Sequence, residues 1–206
     1  MAGIDYDYLR ASIQREGIGA EGKSRHTGYV PSDDSGVTIG VGFDIGQHNE
    51  WELNKIFPDN PKLVEKLKDY TKLEGDEARK VAKNLTVSGK DYIDVIVKPI
   101  NYKIDRIVEK YNEKAGKNAF QNLEPELQRT IFGITYQMGT GSFLKSDFWK
   151  QVTSKDWTGM LNNMQSNGWG ETQARRTKEL DILLKSGAVQ RQFVYDIQKK
   201  ENFLSE

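Results

Sequence analysis

The sequence predicts an α+β fold, predominantly helical, and three observations carry that prediction. Apolar residues recur at helical spacing through most of the chain. Strand-like patterning is confined to residues 29–43, around the turn chemistry of Ser32-Asp33-Asp34-Ser35-Gly36. Helix start and stop signals punctuate the rest: Asn49, Asn60-Pro61, Gly75-Asp76 and Gly187. Together they place a small lobe with a β-hairpin at about residues 1–85. A larger all-helical lobe follows at about 86–206, the two making one domain.

The elements follow in order. Tyr6, Leu9 and Ile13 share a helical face that ends near Glu16-Gly17. Residues 17–35 read as loop and turn, with short β segments at 29–30 and 37–43. Asn49 caps a helix over 50–57, and Asn60-Pro61 starts another over 61–71. Gly75-Asp76 opens a helix to about Leu85. Residues 90–115 are helical in period, but Pro99 is expected to kink or split them. Residues 124–138 form the helix expected to be most buried, through Leu127, Ile131, Ile134, Tyr136 and Met138. Helices over 145–154, 156–166, 172–186 and 188–203 complete the chain.

Composition excludes several classes. The 206 residues are 36% hydrophobic and 29% charged, with a formal net charge of zero and no cysteine. Disulfides and cysteine-ligated zinc are ruled out, and two histidines are too few for a histidine-rich metal site. No metal and no cofactor is expected. Charge is unevenly spread, net −5 over residues 1–60 and +4 over 61–120. No concentrated basic stripe marks a nucleic-acid binder, and no apolar run reaches the ~20 residues of a membrane span. The N-terminus lacks the basic and apolar regions of a secretory signal.

The residues that bear chemistry gather on two stretches. Glu16 ends the first helix, and Thr38 and Asp44 lie on the Gly-rich run Gly36-Val37-Thr38-Ile39-Gly40-Val41-Gly42-Phe43-Asp44. Two carboxylates and a hydroxyl are what glycosidic cleavage by water requires: one carboxyl protonates the leaving oxygen, the other orients a water. Taken singly, each has a plain structural reading: an exposed helix-end glutamate, a β-branched strand residue and a turn carboxylate. A helix C-terminus disfavours an anion, which shifts Glu16 in the direction a general acid needs. Asp33 and Asp34 rival Asp44 for the water. The glycines do not read as a phosphate cradle, since no βαβ unit surrounds them. Gln137 is a polar residue closing an apolar helix, and Trp169 stands with Thr172, Arg175 and Arg176 as an aromatic face beside polar donors.

Three stretches resemble the phage-type lysozymes and, more closely, the pesticin-like muramidases. The first is 9–17 followed by Thr38-Ile39-Gly40-Val41-Gly42, and the second is Tyr136-Gln137-Met138-Gly139 with Gly141 and Phe143. The third is Trp169-Gly170-Glu171-Thr172-Gln173-Ala174-Arg175-Arg176. The resemblance implies a lysozyme-like fold. It casts Glu16 as the catalytic acid, with Thr38 as the threonine holding the attacking water. In the pesticin-like members the aspartate follows the threonine in a Gly-Phe-Asp sequence, as in Gly42-Phe43-Asp44. In the phage enzymes it precedes the threonine with five residues between, a spacing neither Asp33 nor Asp34 meets. Gln137, Trp169 and Thr172 resemble substrate-binding residues of the helical lobe, and Arg175 an arginine that closes over the acid.

The reaction so implied is hydrolysis of the β-1,4 bond from N-acetylmuramic acid to N-acetylglucosamine, with inversion. The expected partner is the peptidoglycan glycan strand, along with the immunity or inhibitor proteins such muramidases meet. A monomer is expected, made without a classical signal peptide and delivered to the periplasm or cell wall. A lytic transglycosylase and a non-catalytic wall-binding or phage-structural module are the competing readings.

Overall fold

The structure is a computed structural model that describes residues 3–17 and 25–204. The fold is α+β and predominantly helical, as the sequence predicts. The described residues hold eleven α-helices and a three-stranded antiparallel sheet in the order β1-β2-β3. The chain divides into two compact units, each described by itself. A sheet-containing unit is Arg10–Lys103, and a helical unit is Met1–Leu9 with Ile104–Glu206. These divisions fall inside two helices. Helical periodicity runs through both points without a break, so the pattern alone does not mark them.

In the sheet unit, α1 (Tyr6–Gly17) is followed by β1 (Arg25–Tyr29), β2 (Thr38–Gly40) and β3 (Phe43–Asp44). The sequence places β1 in a loop because Arg-His-Thr-Gly-Tyr offers no apolar alternation; of its five residues only Gly28 is buried. Backbone pairing holds it instead. It pairs with β2 on one side, and on the other Gly28 N donates to Leu85 O at 2.9 Å and Val87 N to His26 O at 2.8 Å. Val37, Ile39, Phe43 and Ile45 point into a core completed by Leu53 and Phe57, Leu63 and Leu67, Ala78 and Val95.

The helices around that core begin where the caps predict. Asn49 and Glu52 form a reciprocal capping box at the start of α2 (Glu50–Ile56), a device worth about 1 kcal/mol. Asn60 caps α3 (Pro61–Leu67), and its amide also donates to Asp91 and Asp94 at 3.0 and 2.9 Å. After α4 (Gly75–Val81) comes α5 (Gly89–Ala115), which Pro99 does not split. Pro99 cannot donate to Val95 O, yet the helix continues on either side of that one missing bond. Val95 and Ile96 lie against Gly40, whose positive φ of 62° and missing side chain let β2 approach α5; a Cβ there would stand 3.3 Å from Ile96 Cγ1.

The helical unit holds the rest of α5 and six further helices: α6 (Pro125–Met138), α7 (Thr140–Phe143), α8 (Asp147–Ser154), α9 (Trp157–Gln165), α10 (Gln173–Ser186) and α11 (Ala188–Leu204). Leu127, Ile131 and Ile134 of α6 are fully buried, whereas Tyr136 and Met138 at its end are half-buried. Tyr111 donates its buried hydroxyl to Val152 O at 2.7 Å. Asp196 of α11 accepts from Lys155 Nζ at 2.5 Å and from Trp157 Nε1 at 3.0 Å, tying the α8–α9 connection to the last helix.

Candidate functional site

Thr38 and Asp44 are direct partners across the antiparallel β2–β3 ladder. The chain reverses through Gly40, Val41 and Gly42, with both glycines at positive φ. Opposed residues of an antiparallel pair share a face of the sheet, so the hydroxyl and the carboxylate six residues apart in sequence stand side by side. Thr38 is 2% exposed, and its Oγ1 donates to Gly36 O at 3.2 Å.

Asp44 is clamped by the backbone. Oδ1 accepts from Gly46 N at 3.0 Å and Oδ2 from Gly36 N at 3.1 Å, and the residue caps the 3₁₀ turn Ile45–Gln47. A carboxylate has roughly four lone-pair sites, so two amides fix its plane and leave acceptor capacity for a water or a sugar hydroxyl.

Charged and titratable groups surround this carboxylate. Burial pushes the Lys103 ammonium below the usual lysine range, and Asp44 pulls it back. Burial raises the Tyr29 phenol; the nearby Arg25 lowers it and Asp44 raises it. The Arg25 guanidinium lies 4.1 Å over the Tyr29 ring. His48 is lowered, by burial first, against the pull of Glu52. At 3.5 Å from Glu52 Oε2, His48 Nδ1 is attracted without a well-formed hydrogen bond. Lys103 is not legible in the sequence as a neighbour of Asp44: the two lie 59 positions apart, with no spacing rule to join them.

The remaining candidates divide between the units. Glu16 falls in the last turn of α1, and its side chain lies outside the described residues. Asp33 and Asp34 are exposed on the turn before β2, and Asp33 is paired with Arg79. In the helical unit, Gln137 stands in the last turn of α6 with Oε1 buried and without a hydrogen-bond partner among the described residues. Trp169 is half-buried in the 3₁₀ turn Asn167–Thr172; its Nε1 donates to Asn163 O at 2.9 Å, and the Phe148 ring meets its edge. Thr172 closes that turn, its side chain outside the described residues. Arg175 lies 3.6 Å from Glu179. The structure therefore brings Thr38 together with Asp44, and gathers Trp169 with Arg176 and Glu179.

Arg176, which in the sequence stands only as one of the polar donors beside Trp169, has a larger part in the structure. It is fully buried, paired with Glu179 and placed 5.0 Å over the Trp169 ring. The i, i+3 spacing of Arg176 and Glu179 on a helix is the signal that could have found the pair.

A family model described as "Pesticin: Bacterial toxin homologue of phage lysozyme, C-term" matches residues 4–158. That stretch contains Glu16, Thr38, Asp44 and Gln137, while Trp169, Thr172 and Arg175 fall beyond it. No curated protein matches the chain.

Proposed function

Because the chain belongs to the pesticin family of bacterial-toxin homologues of phage lysozyme, which points to a muramidase-type peptidoglycan hydrolase, we propose a specific reaction for it. The enzyme hydrolyses the β-1,4 bond from N-acetylmuramic acid to N-acetylglucosamine in a single inverting displacement. Glu16 protonates the glycosidic oxygen. Asp44 and Thr38 place a water on the opposite face of the sugar ring, and the Asp44 charge stabilises the oxocarbenium-like transition state. Inversion calls for carboxyls ~6.5–9.5 Å apart, leaving room for that water. Gln137, Trp169, Thr172 and Arg175 bind the substrate, and the protein acts after delivery to the periplasm or wall.

The observation that supports this reading best is the in-register Thr38–Asp44 pair, with both carboxylate oxygens set by backbone amides. A group that positions water has to be held in one orientation, and a free turn carboxylate is not. The test is mass spectrometry of fragments released from purified peptidoglycan by the parent protein and by Glu16→Gln. Reducing-end N-acetylmuramic acid from the parent alone is expected. Anhydro-muramic ends would make it a transglycosylase and leave Asp44 without its role; no fragments from folded parent protein would end the enzymatic reading.

A further inference from the structure

Trp51 is 64% exposed, the most open of the large apolar side chains among the described residues. Tryptophan is usually buried over most of its surface, so this exposure calls for a cause. The fold does not supply one. Leu53 and Ile56 carry the buried side of α2, and Trp51 has no part in the core. On the open side, Trp51, Asn54 and Lys55 follow one another at i, i+3 and i+4 and are all exposed. Lys55 Nζ stands 5.3 Å from the indole centroid. Asn54 donates one amide N–H to Glu50 O at 2.9 Å, which fixes the amide and leaves its carbonyl oxygen and its second N–H to a ligand.

This strip is joined to the Asp44 site by short, rigid links. The Phe43 and His48 rings lie 5.1 Å apart, His48 neighbours Glu52, and Glu52 closes the capping box that starts α2. Asp44 and Trp51 are seven positions apart in the chain, so their Cα atoms are at most roughly 25 Å apart. A glycan strand of several sugars spans such a distance.

We propose that Trp51, Asn54 and Lys55 form a platform that holds the glycan strand away from the scissile bond. The inference rests on the glycan-cleaving reading above. The indole face stacks on the C–H face of a pyranose. The Asn54 carbonyl accepts from a hydroxyl or acetamido N–H. Lys55 pairs with a carboxylate of the peptide stems that muramic acid carries, a complementarity confined to this one side chain, since the exposed Glu50 lies beside Trp51 and residues 1–60 are net acidic.

The test separates binding from turnover. In a Glu16→Gln background, affinity is measured for stem-bearing glycan oligomers released from sacculi and for stem-free N-acetylglucosamine oligomers. Trp51→Ala is expected to weaken both about tenfold with an unchanged melting temperature, and Trp51→Phe to restore part of the loss. Lys55→Ala is expected to weaken only the stem-bearing oligomers. Trp149 and Trp157 are buried and Trp169 is half-buried, so the glycan-induced blue shift is compared between the Glu16→Gln protein and its Trp51→Ala variant, and the part lost in Trp51→Ala belongs to Trp51. Parent-like affinity of Trp51→Ala for both oligomers would overturn the platform. Failure of both proteins to bind would overturn it as well. Cleavage by the parent is scored separately: binding through Trp51 without cleavage would keep the platform and remove the hydrolase reading.

Discussion

Gly36 and Gly46 meet backbone to backbone beside the Asp44 carboxylate. A Cβ built on Gly36 would stand 2.5 Å from Gly46 Cα, and one on Gly46 would stand 2.4 Å from Leu73 O. The two amides that clamp Asp44 come from these same two residues. The glycines are required because a side chain at either would drive the clamp apart. Gly46→Ala is therefore expected to destabilise by about 2–3 kcal/mol, since the atoms it meets are backbone and cannot turn aside. Chemical denaturation checks this. A parent-like midpoint would show that the two segments separate at little cost.

Asp44 should resist even its closest substitute. Its two oxygens each face a backbone N–H, so an asparagine at this position must turn an NH₂ toward one of them. Asp44→Asn is expected to cost about 1–3 kcal/mol in stability and to abolish hydrolysis. Thr38→Val keeps the shape and removes only the hydroxyl. It is expected to lower turnover while retaining most of the stability, because the Gly36 O bond is long at 3.2 Å. Unfolding and peptidoglycan assays on the two variants separate the roles. Equal stability of Asp44→Asn and parent would mean that the clamp does not hold the carboxylate.

The pH dependence of stability has a defined direction at His48. Folded, the ring titrates below the usual histidine value, because burial outweighs the attraction of Glu52 and Asp44, and Lys103 adds repulsion. Unfolded, it binds a proton near pH 6.5. Between those values the unfolded state holds more protons, so stability rises with pH. The contribution is complete above about pH 6.5 and is lost as pH falls below it. Thermal melts from pH 7.5 to 5.5 should show a shallower decline for His48→Gln than for the parent. An equal or steeper decline would place the acid sensitivity elsewhere.

The sequence makes local features legible and distant ones opaque. Asn49 and Asn60-Pro61 declare α2 and α3 because a cap and its helix are contiguous. The run 36–44 holds both Thr38 and Asp44 but reads as one β segment over 37–43; the reversal through Gly40 and Gly42 that sets the two face to face emerges only in the fold, because glycine at positive φ can turn a strand that its β-branched neighbours would continue. β1 stays hidden, since its strand character comes from pairing with β2 and with residues 85–87, and not from its own polar side chains. Pro99 misleads in the opposite sense: one lost hydrogen bond does not end a 27-residue helix that is packed along its length. Lys103 enters the surroundings of Asp44 only through the fold, which no spacing rule anticipates.

The last expectation concerns the buried pair in the helical unit. Arg176 is completely buried and its guanidinium is balanced by Glu179, itself 8% exposed; Arg176 Nε and Nη2 find no partner among the described residues. Burial pushes the guanidinium toward its neutral form, and the Glu179 charge holds it ionised. Removing that charge leaves a cation in the interior, which costs about 3–5 kcal/mol, whereas replacing the pair with apolar residues of similar volume is often close to neutral. Glu179→Gln is therefore expected to destabilise strongly. The double variant Arg176→Met with Glu179→Leu should recover most of the loss while shifting the emission of Trp169, which loses the guanidinium over its ring. Urea unfolding of the single and double variants reads both effects. If the double variant is as unstable as the single one, the pair contributes shape that hydrophobic side chains cannot replace, and the stranded charge is not the cause.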